Sequence, residues 1–339
     1  MDTVFDPAPH AALARLTTEQ TARLAPLDPA WAPLEVPQLE PGDAVVGTDP
    51  AAPVPESPAA LAVVRTHVSG LDTPAAVWGT RVAHTIQLRV GTDADAAGIA
   101  AVLAAAVAEA RARDAETARG PGSRFGDGET IDEQDRSIRV SIPAREAVIA
   151  QALAATGFRL DSVDGLRALD RDAPEVPAGD APFTAPEEAD EDALTAGMMK
   201  LQAFDAAFMS NLMRENTEAA MRQYAREAIA AGPGWSAIVR GRKPGTIDAY
   251  LTITPPEESA WAAAGLIVGA SAYVGFAWTE PHLRGTGLAS RMLAAGEAHA
   301  RAQGVDSLLI GYAAQNPLSG PLWIRRGYRP VRAHWLLHP

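Results

Sequence analysis

Residues Arg171-Asp172-Ala173-Pro174-Glu175-Val176-Pro177-Ala178-Gly179-Asp180-Ala181-Pro182 break the chain near its middle. Each proline lacks an N–H and pushes its predecessor out of the helical region, and the charges leave no apolar period for a strand. The stretch reads as an interdomain linker. At 339 residues the chain is long enough for two domains that each bury a core. The expected division is a domain over 1–170, a linker over 171–184 and a second domain over 185–339. A further proline-rich run, Pro26 to Pro58, reads as a long loop covering a surface or exchanging with the other domain.

Composition excludes several classes of chemistry. There is no cysteine, so disulfides, thiolate metal sites and cysteine nucleophiles are ruled out, and a reducing cytoplasm is acceptable. The histidines, at 10, 67, 84, 282, 299, 334 and 338, never take a metal-ligand spacing on one helix face, so no metal is expected. A net charge of −13 repels a phosphate backbone and argues against a nucleic-acid partner. The opening Met1-Asp2-Thr3-Val4-Phe5-Asp6 has no basic region followed by an apolar run, and no later stretch has the length of a membrane span. The expectation is a soluble, cytoplasmic protein without a membrane partner; its oligomeric state is unreadable.

In the second half, acidic Asp190-Glu191-Asp192 marks a helix start, and the apolar period runs on to about Leu212. A second helix is expected over 218–230, stopped by Gly232-Pro233-Gly234. Strand-like runs follow at Trp235 to Arg240, Ile247 to Ile253 and Leu266 to Thr279. Then come a helix over 287–303, a strand from Ser307 to Tyr312, a helix over 317–326 and a strand over 329–337. This order predicts an α/β fold on a mixed sheet.

Between the third strand and the next helix stands Arg284-Gly285-Thr286-Gly287-Leu288-Ala289. A turn of this kind points backbone N–H groups outward at the positive end of a helix, an arrangement that cradles a pyrophosphate. Gly285 and Gly287 let the backbone approach the phosphates, and small Ala289 lets the helix pack close. An ordinary glycine turn would look the same, and the short motif alone does not separate the two. A dinucleotide fingerprint needs its third glycine at position 290, which is Ser290, and only 49 residues follow, too few for a doubly wound sheet.

Asn316, a helix, Gly327-Tyr328 and a closing strand accompany the turn. With them the sequence over 185–339 resembles the GNAT N-acetyltransferase superfamily, whose Arg/Gln-x-x-Gly-x-Gly/Ala motif matches Arg284, Gly287 and Ala289. Thr279-Glu280-Pro281-His282-Leu283 is similar to that family's strand exit. The resemblance implies an acyl-CoA co-substrate, acetyl-CoA in the first place, held by Arg284, Gly285, Thr286, Gly287, Leu288 and Ala289. It implies that Ala277, Trp278 and Thr279 pair with the pantetheine arm like an added strand, and that Asn316 bonds the same arm, with Ser319 and Trp323 beside it. It further implies a small-molecule amine as acceptor.

That chemistry requires a deprotonated amine, a polarised carbonyl and a protonated leaving thiolate. The sequence departs from the family at those positions. Trp323 stands where a tyrosine acid is usual, and Ser271 and Gly311 stand where a glutamate base is usual. Tyr273, Tyr312 and Ser319 could orient a water or the thiolate but read equally as packing residues, and Glu280 and His282 read as solvated. No base or acid is assigned.

The first half carries a faint copy. A strand over Val82 to Val90 leads into Asp95-Ala96-Ala97-Gly98-Ile99-Ala100 and a helix to about Arg113; a strand over Ile138 to Ile142 and a helix over 144–155 precede Gly157-Phe158. Gly98 and Ala100 match Gly287 and Ala289, and Val90 matches Thr279, whereas Asp95 replaces Arg284 and Glu146 replaces Asn316. A charged, glycine-rich insertion over 119–136 accounts for the different spacing. The chain thus resembles a tandem GNAT protein with a degenerate first domain, an arrangement of actinobacterial enzymes that include some of antibiotic biosynthesis. Val90, Gly98, Ile99 and Ala100 are the matching candidate cofactor contacts, although Gly98-Ile99-Ala100 could be no more than a helix start. The favoured reading is an N-acetyltransferase acting on a small-metabolite amine; the alternatives are a non-catalytic acyl-CoA sensor and a protein-directed acetyltransferase.

Overall fold

The computed structural model describes residues 7–49, 54, 57–70, 77–117, 131–170 and 183–338. The linker read at 171–182 and most of the insertion read at 119–136 lie outside the described residues. In chain order the elements are α1 (Pro7–Leu24), β1 (Ala44–Val46), β2 (Ala60–Val68), β3 (Val82–Val90), α2 (Ala96–Thr117), β4 (Arg136–Pro143), α3 (Ala147–Ala155) and β5 (Arg159–Ala168). They continue with α4 (Glu191–Asp205), α5 (Thr217–Ala230), β6 (Ser236–Arg240), β7 (Ile247–Thr254), the single turn α6 (Pro256–Ser259), β8 (Ser271–Thr279), α7 (Leu288–Ala302), β9 (Ser307–Ala313), α8 (Ser319–Arg325) and β10 (Arg329–Leu337).

Two compact units form, one of Met1–Asp161 with Val331–Pro339 and one of Ser162–Pro330. Both are α/β with mixed sheets. The first orders its strands β1-β2-β3-β4-β10 and the second β6-β7-β8-β9-β5. In each, the successive pairings are antiparallel, antiparallel, parallel and antiparallel. The parallel step demands a crossover helix, which is α2 between β3 and β4, and α7 between β8 and β9. The same plan is therefore built twice.

Each sheet draws its fifth strand from the other half of the sequence. β10 pairs with β4, from Arg332↔Pro143 to Leu337↔Ile138, and β5 pairs with β9, from Ser162↔Ala313 to Ala168↔Ser307. The strand read over 329–337 exists but belongs to the first unit, and β5 has no counterpart in the sequence reading. Alternation along a strand tells its faces apart and says nothing about the edge it joins. In β5 the charged residues Arg159, Asp161, Asp164 and Arg167 and the glycine at 165 also lower the local β signal. Two further readings shift. The strand read from Leu266 begins at Ser271, because Gly265 and Gly269 take left-handed φ of 76° and 65° and turn the chain. The helix read to Leu212 stops at Asp205.

Period-2 alternation explains the packing in the first unit. Ala60, Ala62 and Val64 of β2 join the core beneath α2 and α3, whereas Leu61 and Val63 point to the other face and meet Leu13 and Leu16 of α1. β10 adds Ala333 to the first of these cores. In the second unit a Cβ on Gly197 of α4 would stand 2.8 Å from the Tyr250 ring, and one on Gly296 of α7 would stand 2.6 Å from Ile253. Tyr250 and its neighbours Leu251 and Ile253 alternate along β7, so α4 and α7 cover opposite faces of that sheet.

A chain ending at Pro330 lacks the partner of β4. Hydrogen exchange is expected to show lost amide protection across residues 138–142; full protection there would show that β4 does not depend on β10.

Candidate active site

The second unit's sheet opens at one point. The parallel pairing of β8 with β9 runs from Ser271↔Ser307 to Val274↔Ile310 and stops. β8 continues beside β7 to Thr279, while β9 continues beside β5 to Ala313. Along β8, Glu280 N–H donates to Asp248 O at 2.8 Å and Phe276 N–H donates to Thr252 Oγ1 at 3.1 Å, so the even-numbered residues turn toward β7. Antiparallel alternation then aims the N–H and C=O groups of Ala277 and Thr279 into the gap. Arg284 Nε, which donates to Thr279 O at 2.9 Å, lies on that side. The gap widens into a cleft of about 420 Å³.

The glycine turn forms one end of the cleft. Gly285 and Gly287 have φ of 78° and 80°, and the first carbonyl to accept a helical N–H is that of Gly287, from Arg291. The N–H groups before it are the orphan donors of a helix start. A Cβ on Gly285 would meet nothing within 4 Å, and one on Gly287 would meet only Arg291 at 3.9 Å. Here glycine answers the backbone conformation, and the protein leaves the space above the turn open.

Ala277, Trp278, Thr279, Arg284, Gly285, Gly287, Leu288, Ala289, Asn316, Ser319 and Trp323 all line this cleft. Thr286 turns away, its Oγ1 donating to Leu283 O at 2.8 Å. The Arg284 guanidinium sits 4.9 Å from the Trp278 ring centre and 5.6 Å from that of Phe204, which fixes the turn to the strand end. Asn316 Oδ1 accepts from Leu318 N–H at 2.9 Å and Ser319 N–H at 3.3 Å, capping α8. Ser319 Oγ is buried without a hydrogen-bond partner. Trp323 is buried and packs edge-on against Tyr328.

The catalytic positions left blank by the sequence stay without a titratable group. Ser271 is buried, and Gly311 N–H donates to the Tyr273 hydroxyl at 3.0 Å. Burial, with the Asp164 charge, pushes the Tyr273 phenol well up. Glu280 pairs with Lys200, whose hydrogen bond holds the carboxyl below its usual range.

A residue the sequence reading missed lies in the cleft. Asp205, the last residue of α4, accepts a hydrogen bond from Asn316 Nδ2 on Oδ1 at 3.0 Å. Burial pushes its carboxyl up to about 6, against the lowering effect of Asn316. The sequence held one signal for it: a carboxylate in the last turn of a helix opposes the helix dipole. Beside it the Tyr250 hydroxyl is buried and reaches no partner. Burial and the charges of Asp205 and Glu280 push the Tyr250 phenol well up, so it stays a donor.

In the first unit the corresponding strands also part. β3 pairs with β4 only as far as Ile86↔Val140 but runs on to Val90. Its groups are already taken, however. Gln20 Oε1 accepts from Val90 N–H at 3.4 Å, and Arg23 donates to Val90 O at 3.3 Å and to Gly91 O at 3.0 Å. Arg23 also pairs with buried Glu146 at 2.9 Å. Gly98 N–H donates to Asp95 Oδ1 at 2.7 Å, Ile99 is fully buried, and Ala100 packs against the core. Of the four first-half candidates, Val90, Ile99 and Ala100 thus share the core, α1 side chains occupy the backbone of Val90, and Asp95 caps Gly98.

No family model and no curated protein matches the sequence. In structure the chain is similar to a GCN5-related N-acetyltransferase from Sphaerobacter thermophilus, at 14% identity and a TM-score of 0.47 over 98% of this chain and 93% of that one. It is also similar to a tandem GNAT protein from the clavulanic acid biosynthesis pathway, at 15% identity and a TM-score of 0.43 over 96% and 94%. A GNAT-family acetyltransferase from Colwellia psychrerythraea gives 12% identity and a TM-score of 0.43 over 99% and 97%. No described helix is long and apolar enough to cross a membrane, and no group of three His, Asp or Glu among the described residues could hold a metal ion.

Two predictions follow from this geometry. Gly287→Glu places a carboxylate above the turn at a left-handed φ, a strain of about 1–2 kcal/mol, and is expected to abolish acetyl-CoA binding in titration calorimetry. Gly98→Glu, whose backbone is already capped, is expected to leave that binding unchanged; the reverse pattern would place the site in the wrong unit.

The second concerns pH. Folding raises the Asp205 pKa from 3.8 to about 6, so its favourable contribution is complete below about pH 4 and is lost as pH rises through 6. The loss is on the order of 3 kcal/mol. Asp205→Asn, which cannot ionise, is expected to melt above the wild type at about pH 8 and to converge with it below about pH 4. A variant that melts lower at every pH would contradict the burial of an ionised Asp205.

Proposed function

We propose that the second unit is an acyl-CoA-dependent N-acyltransferase that moves an acetyl or other acyl group onto an amine of a small metabolite. The observation that carries this reading is the parting of β8 and β9 beside an open glycine turn. A pantetheine arm carries amides, and the N–H and C=O of Ala277 with the N–H of Thr279 offer it the pairing of an added strand. A pyrophosphate suits the N–H groups of the turn, which the protein leaves uncovered. Buried Ser319 Oγ supplies a further polar partner within the same cleft. Acyl-CoA is the substrate that joins a pyrophosphate to amides and a reactive thioester, and one cleft accommodates all three.

The acceptor side of the cleft is bounded by Leu201, Phe204, Asp205 and Tyr250, a small pocket with one carboxylate. A carboxylate favours a cationic amine, and the size favours a metabolite over a folded protein. The first unit serves as scaffold, since α1 supplies the partners that a bound cofactor would otherwise give to Val90 and Gly91.

Calorimetry with acetyl-CoA is expected to give one site per chain, and thiol release is expected to depend on an added primary amine. Binding without amine-dependent thiol release would leave a sensor; no binding would sink the reading altogether.

A further inference from the structure

The transfer needs a group that takes a proton from the incoming ammonium, and it must stand on the side from which the amine arrives. α7, with the glycine turn at its start, covers one face of the sheet, and α4 covers the other. A thioester reaching through the gap from the turn therefore presents its carbonyl to an amine on the α4 face. The ionisable side chains lining the cleft are Asp205 of α4, Tyr250 of β7, Arg284 after β8, Tyr312 of β9 and Arg325 of α8, with Lys200 and Glu280 nearby. Burial raises the Tyr312 phenol and keeps it a donor, and Arg325 is a cation. Lys200 and Glu280 are paired with each other, and Arg284 is held by Thr279 O and two aromatic rings. Asp205 is different: its hydrogen bond comes from an uncharged amide, Asn316, and reaches only Oδ1.

Building on the acyl-transfer reading, we propose that Asp205 is the general base of the second unit, with Asn316 as its positioning residue and the Tyr250 hydroxyl as a donor beside it. The Asp205 carboxylate takes one proton from R–NH3+, directly or through one water. The freed nitrogen attacks the thioester carbon, and a C–N bond forms. The C–S bond then breaks, and the second nitrogen proton passes to the departing thiolate. The products are the amide, free CoA and one proton, which Asp205 returns to solvent. A carboxyl lifted to about 6 is a stronger base than a free aspartate and is still ionised at neutral pH.

The test compares wild type, Asp205→Asn and Asn316→Ala with acetyl-CoA and two kinds of acceptor. One is a panel of alkyl primary amines, which are protonated at neutral pH; the other is hydroxylamine, which is not. Asp205→Asn is expected to keep acetyl-CoA affinity, lose roughly 100-fold or more in kcat with alkyl amines, and keep its rate with hydroxylamine. In the wild type, kcat with an alkyl amine should rise through about pH 6, a limb absent from Asp205→Asn. Asn316→Ala, which removes a bond that lowers the Asp205 pKa, should move that limb upward.

The wild-type profile serves as a test even where a variant folds poorly. Unchanged kcat and pH profile in a folded Asp205→Asn, or equal losses with both kinds of acceptor, would overturn the assignment. So would acetyl-CoA binding with no turnover of any amine. Failure of the wild type to bind acetyl-CoA would instead bring down the acyl-transfer reading, and this inference with it.

Discussion

The cleft of the second unit depends on two parallel strands that stop pairing while both continue. Backbone N–H and C=O groups need partners, and a strand that loses its neighbour must find others. In the second unit β8 passes Val274 without β9, and the groups of Ala277 and Thr279 face a cleft. In the first unit β3 passes Ile86 without β4, and Gln20 and Arg23 of α1 supply the missing partners. One geometric device thus leaves an edge open on a cleft in one place and gives a helix-docking edge in the other. The difference lies in whether the chain itself provides the groups.

What the sequence revealed was local. The glycine turn, the strand before it and the helix after it were legible, because left-handed glycines and period-2 and period-3.6 patterns act over a few residues. That Ala277, Trp278, Thr279, Asn316, Ser319 and Trp323 belong beside the turn came from the family resemblance and not from local pattern; in the structure they line one cleft with it. Asp205 escaped because its importance comes from Asn316, more than a hundred residues away, and from burial. α1 escaped because its task, filling the first unit's strand end, is set by the distant backbone of Val90 and Gly91 and by Glu146. β5 and the membership of β10 escaped because an edge chooses its partner through tertiary pairing. The stretch read as a loop over 26–58 contains β1, and among the described residues α1 supplies the side chains at Val90.

Two carboxylates near the cleft show how environment assigns a role. Glu280 has Lys200 and is held in the ionised form. Asp205 has an amide, a buried phenol and a helix end whose dipole opposes it, and its proton is held more tightly. Burial without a cation makes Asp205 costly to the fold at neutral pH. A group kept at such a cost is where a site with work for a base would be expected.

The exchange of fifth strands reaches beyond packing. The two units are interleaved in sequence, so the proline-rich segment near residue 175 marks no boundary between them. A half ending there would carry β5, a strand fitted to a sheet it does not contain, and would lack β10, which its own sheet requires. Two copies of one plan joined in this way cease to be interchangeable modules. Each half holds a piece of the other's framework.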